Sequence, residues 1–358
     1  MTGTPAETPR QLGYRMPAEW ERHAATWIAW PHNPNDWPGR FQPIPWVYAD
    51  IVRHLARVED VHILVNEAAA AKRATGILKR AGANLARVHF HEWPTNRVWL
   101  RDSGPIFVRK QGSVAVTNWK FNAWAKYEDW QHDDQIPDHA AKLLQLPQWQ
   151  PSLRLDDGRE HRIVLEGGSI DVNGAGILLT TEECLLSEVQ QRNPGVSRVQ
   201  LEQVFADYLG IEQVVWLNRG CAGDDTHGHV DDITRFVGPN TIVTVVEPNT
   251  ADENHQPMAE NLARLRSAKN LASQPFRIVE LPMPSPVIFE GQRLPASYGN
   301  FYIANSLVLV PTFNDANDRR ALNILADLFP SHQVVGIHCG DFIWGLGALH
   351  CMTQQQPA

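Results

Sequence analysis

The chain has 358 residues, 43% apolar and 20% charged, with a formal net charge of −8, the balance of a soluble globular protein of one large or two ordinary domains. That acidity disfavours nucleic acid as a partner and favours small cationic molecules. No window reaches the ~18 consecutive apolar residues of a membrane span, and Met1 to Arg10 lack the apolar core of a signal peptide.

These features point to a cytoplasmic protein, and they are compatible with a homo-oligomer. Thirteen tryptophans and 25 prolines suggest rigid loops around a pocket. Cys184, Cys221, Cys339 and Cys351 show no Cys-x-x-Cys spacing, so neither a disulfide framework nor a structural zinc site is expected.

In chain order, residues 1–12 read as a flexible N-terminal segment and Ala25 to Trp30 as a buried strand. A helix is predicted over Pro45 to Val58, a strand over His62 to Val65, and a helix over Asn66 to Ala81 that Gly82 stops. Val88 to His91 is a further short strand. From there a unit recurs. Arg101-Asp102-Ser103-Gly104 leads into a strand, a turn at Gln111-Gly112 and a second strand. Leu165-Glu166-Gly167-Gly168, Thr226-His227-Gly228-His229 and Ser297-Tyr298-Gly299-Asn300 each introduce a similar hairpin. Gly345-Leu346-Gly347-Ala348 introduces the last segment, Leu349 to Thr353.

The units return at intervals of about 50–70 residues. Helices are predicted between them over Asp138 to Leu146, Ser197 to Leu209, Met258 to Ala268 and Asp315 to Leu328, with Ser197 and Asp318 as N-caps. One such unit cannot bury its apolar face alone, but several around an axis can. A closed ring of small α/β modules in one domain follows, with each glycine-rich approach facing the centre, where backbones can come close. Asp102, Glu166, His229 and Cys351 stand beside those glycines.

The densest chemistry lies in Gly223 to Asp232, with two histidines and four carboxylates in ten residues. Read as a strand, it would line Asp225, His227, His229 and Asp231 along one face. Such a face needs a cationic partner: a metal ion, a substrate or water. His227-Gly228-His229-Val230-Asp231-Asp232 comes near the His-x-His-x-Asp-His pattern of dinuclear zinc hydrolases but ends in Asp232. The other reading is covalent. Cys351 in His350-Cys351-Met352-Thr353-Gln354 needs a cation to become a thiolate. His229 or a cationic substrate could supply it. A pocket with three acids would hold a guanidinium through paired hydrogen bonds and leave its carbon open to attack.

The chain resembles the agmatine deiminases, a branch of the guanidine-modifying pentein superfamily that also holds the bacterial peptidylarginine deiminase. The matching segments are Met16 to Pro31, Trp99 to Pro105, Phe121-Asn122-Ala123-Trp124, Leu165 to Ser169, Asp224-Asp225-Thr226, Gly228 to Asp231, Tyr298 to Pro311 and His350 to Gln355. They run in order over nearly the whole chain. The resemblance implies a five-bladed pseudo-symmetric α/β propeller, the pentein fold, as a single deiminase domain over residues 1–358, with neither metal nor other cofactor. It makes Cys351 the nucleophile and His229 the general acid and base. Asp102 and Asp231 would hold the guanidinium nitrogens, and Glu166 both substrate and histidine.

Two departures stand out: His227 replaces the family's usual Asp, and Gly347-Ala348-Leu349 its common Gly-Gly-Asn. The implied reaction is hydrolysis of agmatine to N-carbamoylputrescine and ammonia through a cysteine thiouronium, on the route to putrescine. Trp99 and Asp225 are the candidates to hold the substrate's ammonium. Free arginine would need Arg101 or Arg235 for its α-carboxylate, and peptidyl-arginine an open cleft. The remote alternative is a metal-dependent hydrolase built on His227 and His229.

Overall fold

The computed structural model describes residues 7–155 and 158–358. The fold is mixed α/β, and its unit can be derived from the connections. An antiparallel hairpin whose second strand is followed by a helix must receive its third strand parallel, because the helix carries the chain back to the starting edge. Ile106–Lys110 pairs antiparallel with Ser113–Thr117, which pairs parallel with Gln148–Trp149 after the helix Ile136–Leu144.

The same plan recurs through Asp171–Val172, Ile177–Thr181 and Gln213–Leu217. It recurs again in Thr234–Gly238, Thr241–Val246 and Arg277–Pro282, and in Tyr302–Ala304, Leu307–Thr312 and Gln333–His338. The fifth sheet joins the two ends of the chain. Gln354–Pro357 pairs antiparallel with His23–Ala29, which continues in parallel to Asp60–Val65 and Val88–Glu92. Two small hairpins, of Ser152–Arg154 with Glu160–Arg162 and of Ile288–Phe289 with Gln292–Arg293, stand outside these five sheets.

The helices form where apolar residues return with the helical period. Ile44–Leu55 buries Ile44, Tyr48, Ile51, Val52 and Leu55 on one stripe, each large side chain contributing roughly 1.5–3 kcal/mol when withdrawn from water. Gly82 ends Ala68–Ala81 at φ 78°, the left-handed conformation glycine adopts without steric cost. Ser197 caps Arg198–Leu209 through a reciprocal capping box with Gln200. Asp318 does not act as predicted. Asn317 is the N-cap of Asp318–Leu328, and the Asp318 carboxylate accepts from Phe313 N and Asp315 N and from the Tyr298 hydroxyl.

The chain's end also differs: Leu349 to Thr353 is a turn, and the strand starts at Gln354. Of the N-terminal segment expected to be flexible, 1–6 lie outside the described residues, and 7–12 are held in place. Trp149 Nε1 donates to Glu7 O at 3.0 Å, and Arg10 N to Asp207 O at 3.0 Å. Among the described residues, no helix is long and apolar enough to cross a membrane.

The sheets lean on a buried ionic knot. Arg235, wholly buried, donates to Asp171 (2.6 Å), Glu19 (2.8 Å) and Phe301 O (2.7 Å). It links side chains from the second and third repeats and from the N-terminal segment. Removing the cation leaves two carboxylates buried without it. Arg235→Met is therefore expected to lower stability by about 3–5 kcal/mol, read as a drop in the urea unfolding midpoint. An unchanged midpoint would show the knot to be dispensable.

Candidate active site

Each unit delivers at least one polar group from the same place, the turn just before its first strand. Asp102 lies on the short helix Leu100–Ser103. Glu166 precedes the 3-10 turn Gly167–Ser169, and His229 precedes the turn Val230–Asp232 that carries Asp231 and Asp232. Asn300 stands ahead of Tyr302–Ala304 and Cys351 ahead of Gln354–Pro357. Only glycine permits this convergence. A Cβ on Gly168 would lie 2.6 Å from His229 Nδ1, 2.7 Å from Asp102 Oδ1 and 3.1 Å from Asp231 Oδ2, far inside contact distance. One on Gly347 would lie 2.7 Å from the Trp99 ring.

His229 sits between carboxylates, Nε2 3.5 Å from Glu166 Oε2 and Nδ1 3.7 Å from Asp102 Oδ1. Burial alone would push its imidazole down. Asp102 and hydrogen bonding to Cys184 and Glu166 outweigh burial and hold it well above the usual histidine value. Burial pushes Asp102 up to about 7 against the pull of His229, although its oxygens accept from Trp124 Nε1 (2.9 Å) and Gly168 N (3.1 Å). Glu166 stays below the ordinary carboxylate range despite burial because Arg192 lies against it at 3.1 Å.

Asp231 is likewise held below that range. Burial opposes this, but His350 Nδ1 meets its Oδ2 at 2.6 Å. The other nitrogen of His350 reaches Glu19 at 2.6 Å, joining the site to the Arg235 knot. Asp232 is pushed well above the carboxylate range by burial and by Asp231. The Cys351 sulfur receives the Asn300 amide at 3.0 Å and lies 3.9 Å from Asp231 Oδ2. Burial, then Asp231, Asp232 and Asp102, push its thiol well above the usual value.

Cys351 opens onto a cavity of about 340 Å³ lined also by Trp99, Asp102, Trp124, Asp225 and Leu346, within the ~300–1,000 Å³ of small-molecule sites. One wall is strained: Ala123, Trp124 and Ala125 have φ of 49°, 58° and 53°. Each non-glycine residue held there costs on the order of 1–2 kcal/mol. The bond from the Trp124 indole to Asp102 shows what that conformation achieves.

Cys351, His229, Asp102, Glu166 and Asp231 thus lie in one buried cluster, and Trp99 and Asp225 line the cavity beside Cys351 and Asp102. Gly223 to Asp232 is not a strand. Asp224 accepts from the backbone N–H groups of Thr226, Gly228 and His229 and coils the chain. His227 takes φ 65° and turns aside, its Nε2 3.2 Å from Ser187 Oγ. The close clusters of potential ligand atoms among the described residues are Glu166–Cys184–His229 and Asp231–Asp232–Cys351. His227 belongs to neither, so the His227/His229 pairing is not formed.

Arg101 and Arg235, the candidates for an α-carboxylate, are buried away from the cavity lining, although Arg101 Nη2 makes no hydrogen bond and lies 3.5 Å from Glu19. Arg101 donates to His350 O and Gln355, and Arg235 lies in the knot. Sequence reasoning missed Asn300, Asp232, His350, Glu19, Arg192 and Trp124. Asn300 had a visible signal, since it closes its glycine-bearing tetrad as His229 closes its own, and Asp232 and His350 stand inside the motifs around His229 and Cys351.

A thiol surrounded by acids loses its proton reluctantly until a cation enters, and a planar guanidinium among these carboxylates is such a cation. In the free enzyme, iodoacetamide should therefore alkylate Cys351 slowly at neutral pH, with a rate still climbing above pH ~9, beyond the ordinary thiol value. Peptide mass mapping against pH measures this. Fast alkylation levelling off below pH ~7.5 would contradict the protonated resting thiol.

Residues 15–357 match the family described as Porphyromonas-type peptidyl-arginine deiminase. The chain is 35% identical to the agmatine deiminases of Pseudomonas aeruginosa (strain LESB58) and Stutzerimonas stutzeri (strain A1501), covering 99% of this chain and 98% of each relative. The structure of the agmatine deiminase of Enterococcus faecalis superposes with a TM-score of 0.89 at 29% identity, covering 100% of this chain and 99% of that one.

Proposed function

The chain belongs to the Porphyromonas-type peptidyl-arginine deiminase family and is a hydrolase of amidine C–N bonds, and we propose that its substrate is agmatine. The observation that carries the reading is Cys351 on the wall of a cavity it shares with Asp102, with His229 within reach of Asp102 and Glu166. Asp102 and Asp231 accept the guanidinium N–H groups, and the positive charge so introduced eases the Cys351 proton off to solvent, His229 being protonated already.

The thiolate forms a C–S bond to the guanidinium carbon. His229, held protonated, gives its proton to one nitrogen, and the C–N bond breaks to release ammonia. His229, now neutral, takes a proton from water. The water oxygen adds to the S-alkylthiouronium carbon, and the C–S bond breaks to free the ureido product, N-carbamoylputrescine, and regenerate Cys351. Glu166, fixed by Arg192, keeps the imidazole oriented.

Agmatine is favoured over arginine because neither Arg101 nor Arg235 lines the cavity, where either would have to meet an α-carboxylate. The product is one carbamoyl hydrolysis away from putrescine, which suits a biosynthetic enzyme working in the cytoplasm. The five similar sheets, each supplying its polar group from the turn before its first strand, support a five-bladed pseudo-symmetric propeller. The joining of both chain ends in one sheet supports a single domain.

Ammonia release from agmatine, free arginine and a blocked arginine peptide tests the assignment. Agmatine should lead by at least about tenfold in kcat/KM, equivalent to about 1.4 kcal/mol of transition-state discrimination. A comparable lead for the peptide would overturn agmatine as substrate while leaving the chemistry intact.

A further inference from the structure

The cavity has a second end, walled by Asn33, Asp36, Arg97, Tyr127 and Asp129, for which the catalytic cluster has no use. The Asp36 side chain is only 3% exposed. Its Oδ1 accepts from Arg97 Nη1 at 3.2 Å and from Asn33 Nδ2 at 3.4 Å, whereas Oδ2 is buried with no hydrogen-bond partner. Leaving such an acceptor unsatisfied costs roughly 1–3 kcal/mol, and the Tyr48 hydroxyl that faces it is buried without making this bond, so the acceptor stays open to a guest.

The backbone holds the group firmly in place. Asn33 caps the turn Pro34–Asp36, and the adjoining Trp37, wholly buried, donates from Nε1 to Phe342 O at 2.7 Å. The neighbouring acids are already engaged. Asp225 bonds Lys126 and the Tyr127 hydroxyl, and Asp129 bonds Arg97 while lying half in solvent. Here the three carboxylates Asp36, Asp129 and Asp225 face two cations, Arg97 and Lys126, an excess that one positive charge on a guest would balance.

We infer that Asp36 Oδ2 receives the terminal ammonium of the substrate and is the residue that selects an amine-tailed guanidine. This rests on the agmatine reading and deepens it. A primary ammonium supplies the missing donor and the missing charge together. The carboxylate of free arginine would instead meet an excess of like charge at this end, where the one lining guanidinium, Arg97, is shared between Asp36 and Asp129.

The groups facing Asp36 are Arg97, Asp129, Tyr127 and Tyr48. Burial, opposed by Arg97, pushes its carboxyl up to about 6. The neutral acid therefore forms as pH falls through about 6, and the charge attraction for the tail is lost there. Titration of Asp102 at the guanidinium end acts on every substrate alike.

The test compares agmatine with butylguanidine, which has the same four-carbon arm ending in methyl. Asp36→Asn should raise KM for agmatine by about tenfold or more and leave kcat/KM for butylguanidine within about twofold. In the unmutated enzyme, the ratio of KM for agmatine to that for butylguanidine should rise between pH 8 and pH ~5.5 as Asp36 is neutralised. A ratio that does not change with pH, or equal losses on both substrates in Asp36→Asn, would overturn the assignment. A preference of the unmutated enzyme for an arginine peptide over agmatine would instead overturn the underlying reading, whatever the variant does.

Discussion

The structure depends on a buried excess of negative charge that the protein only partly neutralises. Glu166 has Arg192. Glu19 and Asp171 share Arg235, and Asp231 leans on His350. Asp102 and Asp232 remain, both pushed towards protonation by burial, around a thiol that the same acids keep from ionising. Isolated charges in such a place are expensive, and the cost falls when a cation arrives. A guanidinium is thus the counter-ion the cavity lacks, and in the proposed reaction its arrival would ease the proton off Cys351.

Repetition is what makes this concentration of charge buildable. A hairpin, a helix and a returning parallel strand form a unit whose first turn can be glycine-rich and can present one polar side chain. Five such turns bring Asp102, Glu166, His229, Asn300 and Cys351 together from across some 250 residues of chain. The glycines are structural necessities here. With a side chain at Gly168, His229, Asp102 and Asp231 would have to separate. The strained Ala123–Trp124–Ala125 segment adds an indole donor to Asp102 that no unit supplies from its own turn.

Much of this was legible because periodicity and glycine placement are local signals. The helices, the hairpin repeat and four of the polar groups, Asp102, Glu166, His229 and Cys351, follow from them. What escaped depends on contacts that sequence spacing does not encode. Glu19 and His350 are 331 positions apart and 2.6 Å distant. Arg192 serves Glu166 from a loop with no periodic mark. Alternating residues at 223–232 look like a strand, but Asp224 offers the backbone a better partner and coils it, separating His227 from His229. The last strand begins at Gln354, later than the local pattern predicts, for a similar reason. Its partner, His23–Ala29, lies at the opposite end of the chain.

The central claim is that the reaction passes through a covalent bond to Cys351. Turnover with agmatine, stopped by acid within milliseconds to seconds and followed by mass analysis of the peptide carrying Cys351, tests it most directly. The expected result is a transient mass increase on that peptide equal to agmatine less ammonia, and its disappearance in Cys351→Ser together with activity. Steady ammonia release with no adduct at any quench time, or full activity of Cys351→Ser, would contradict it.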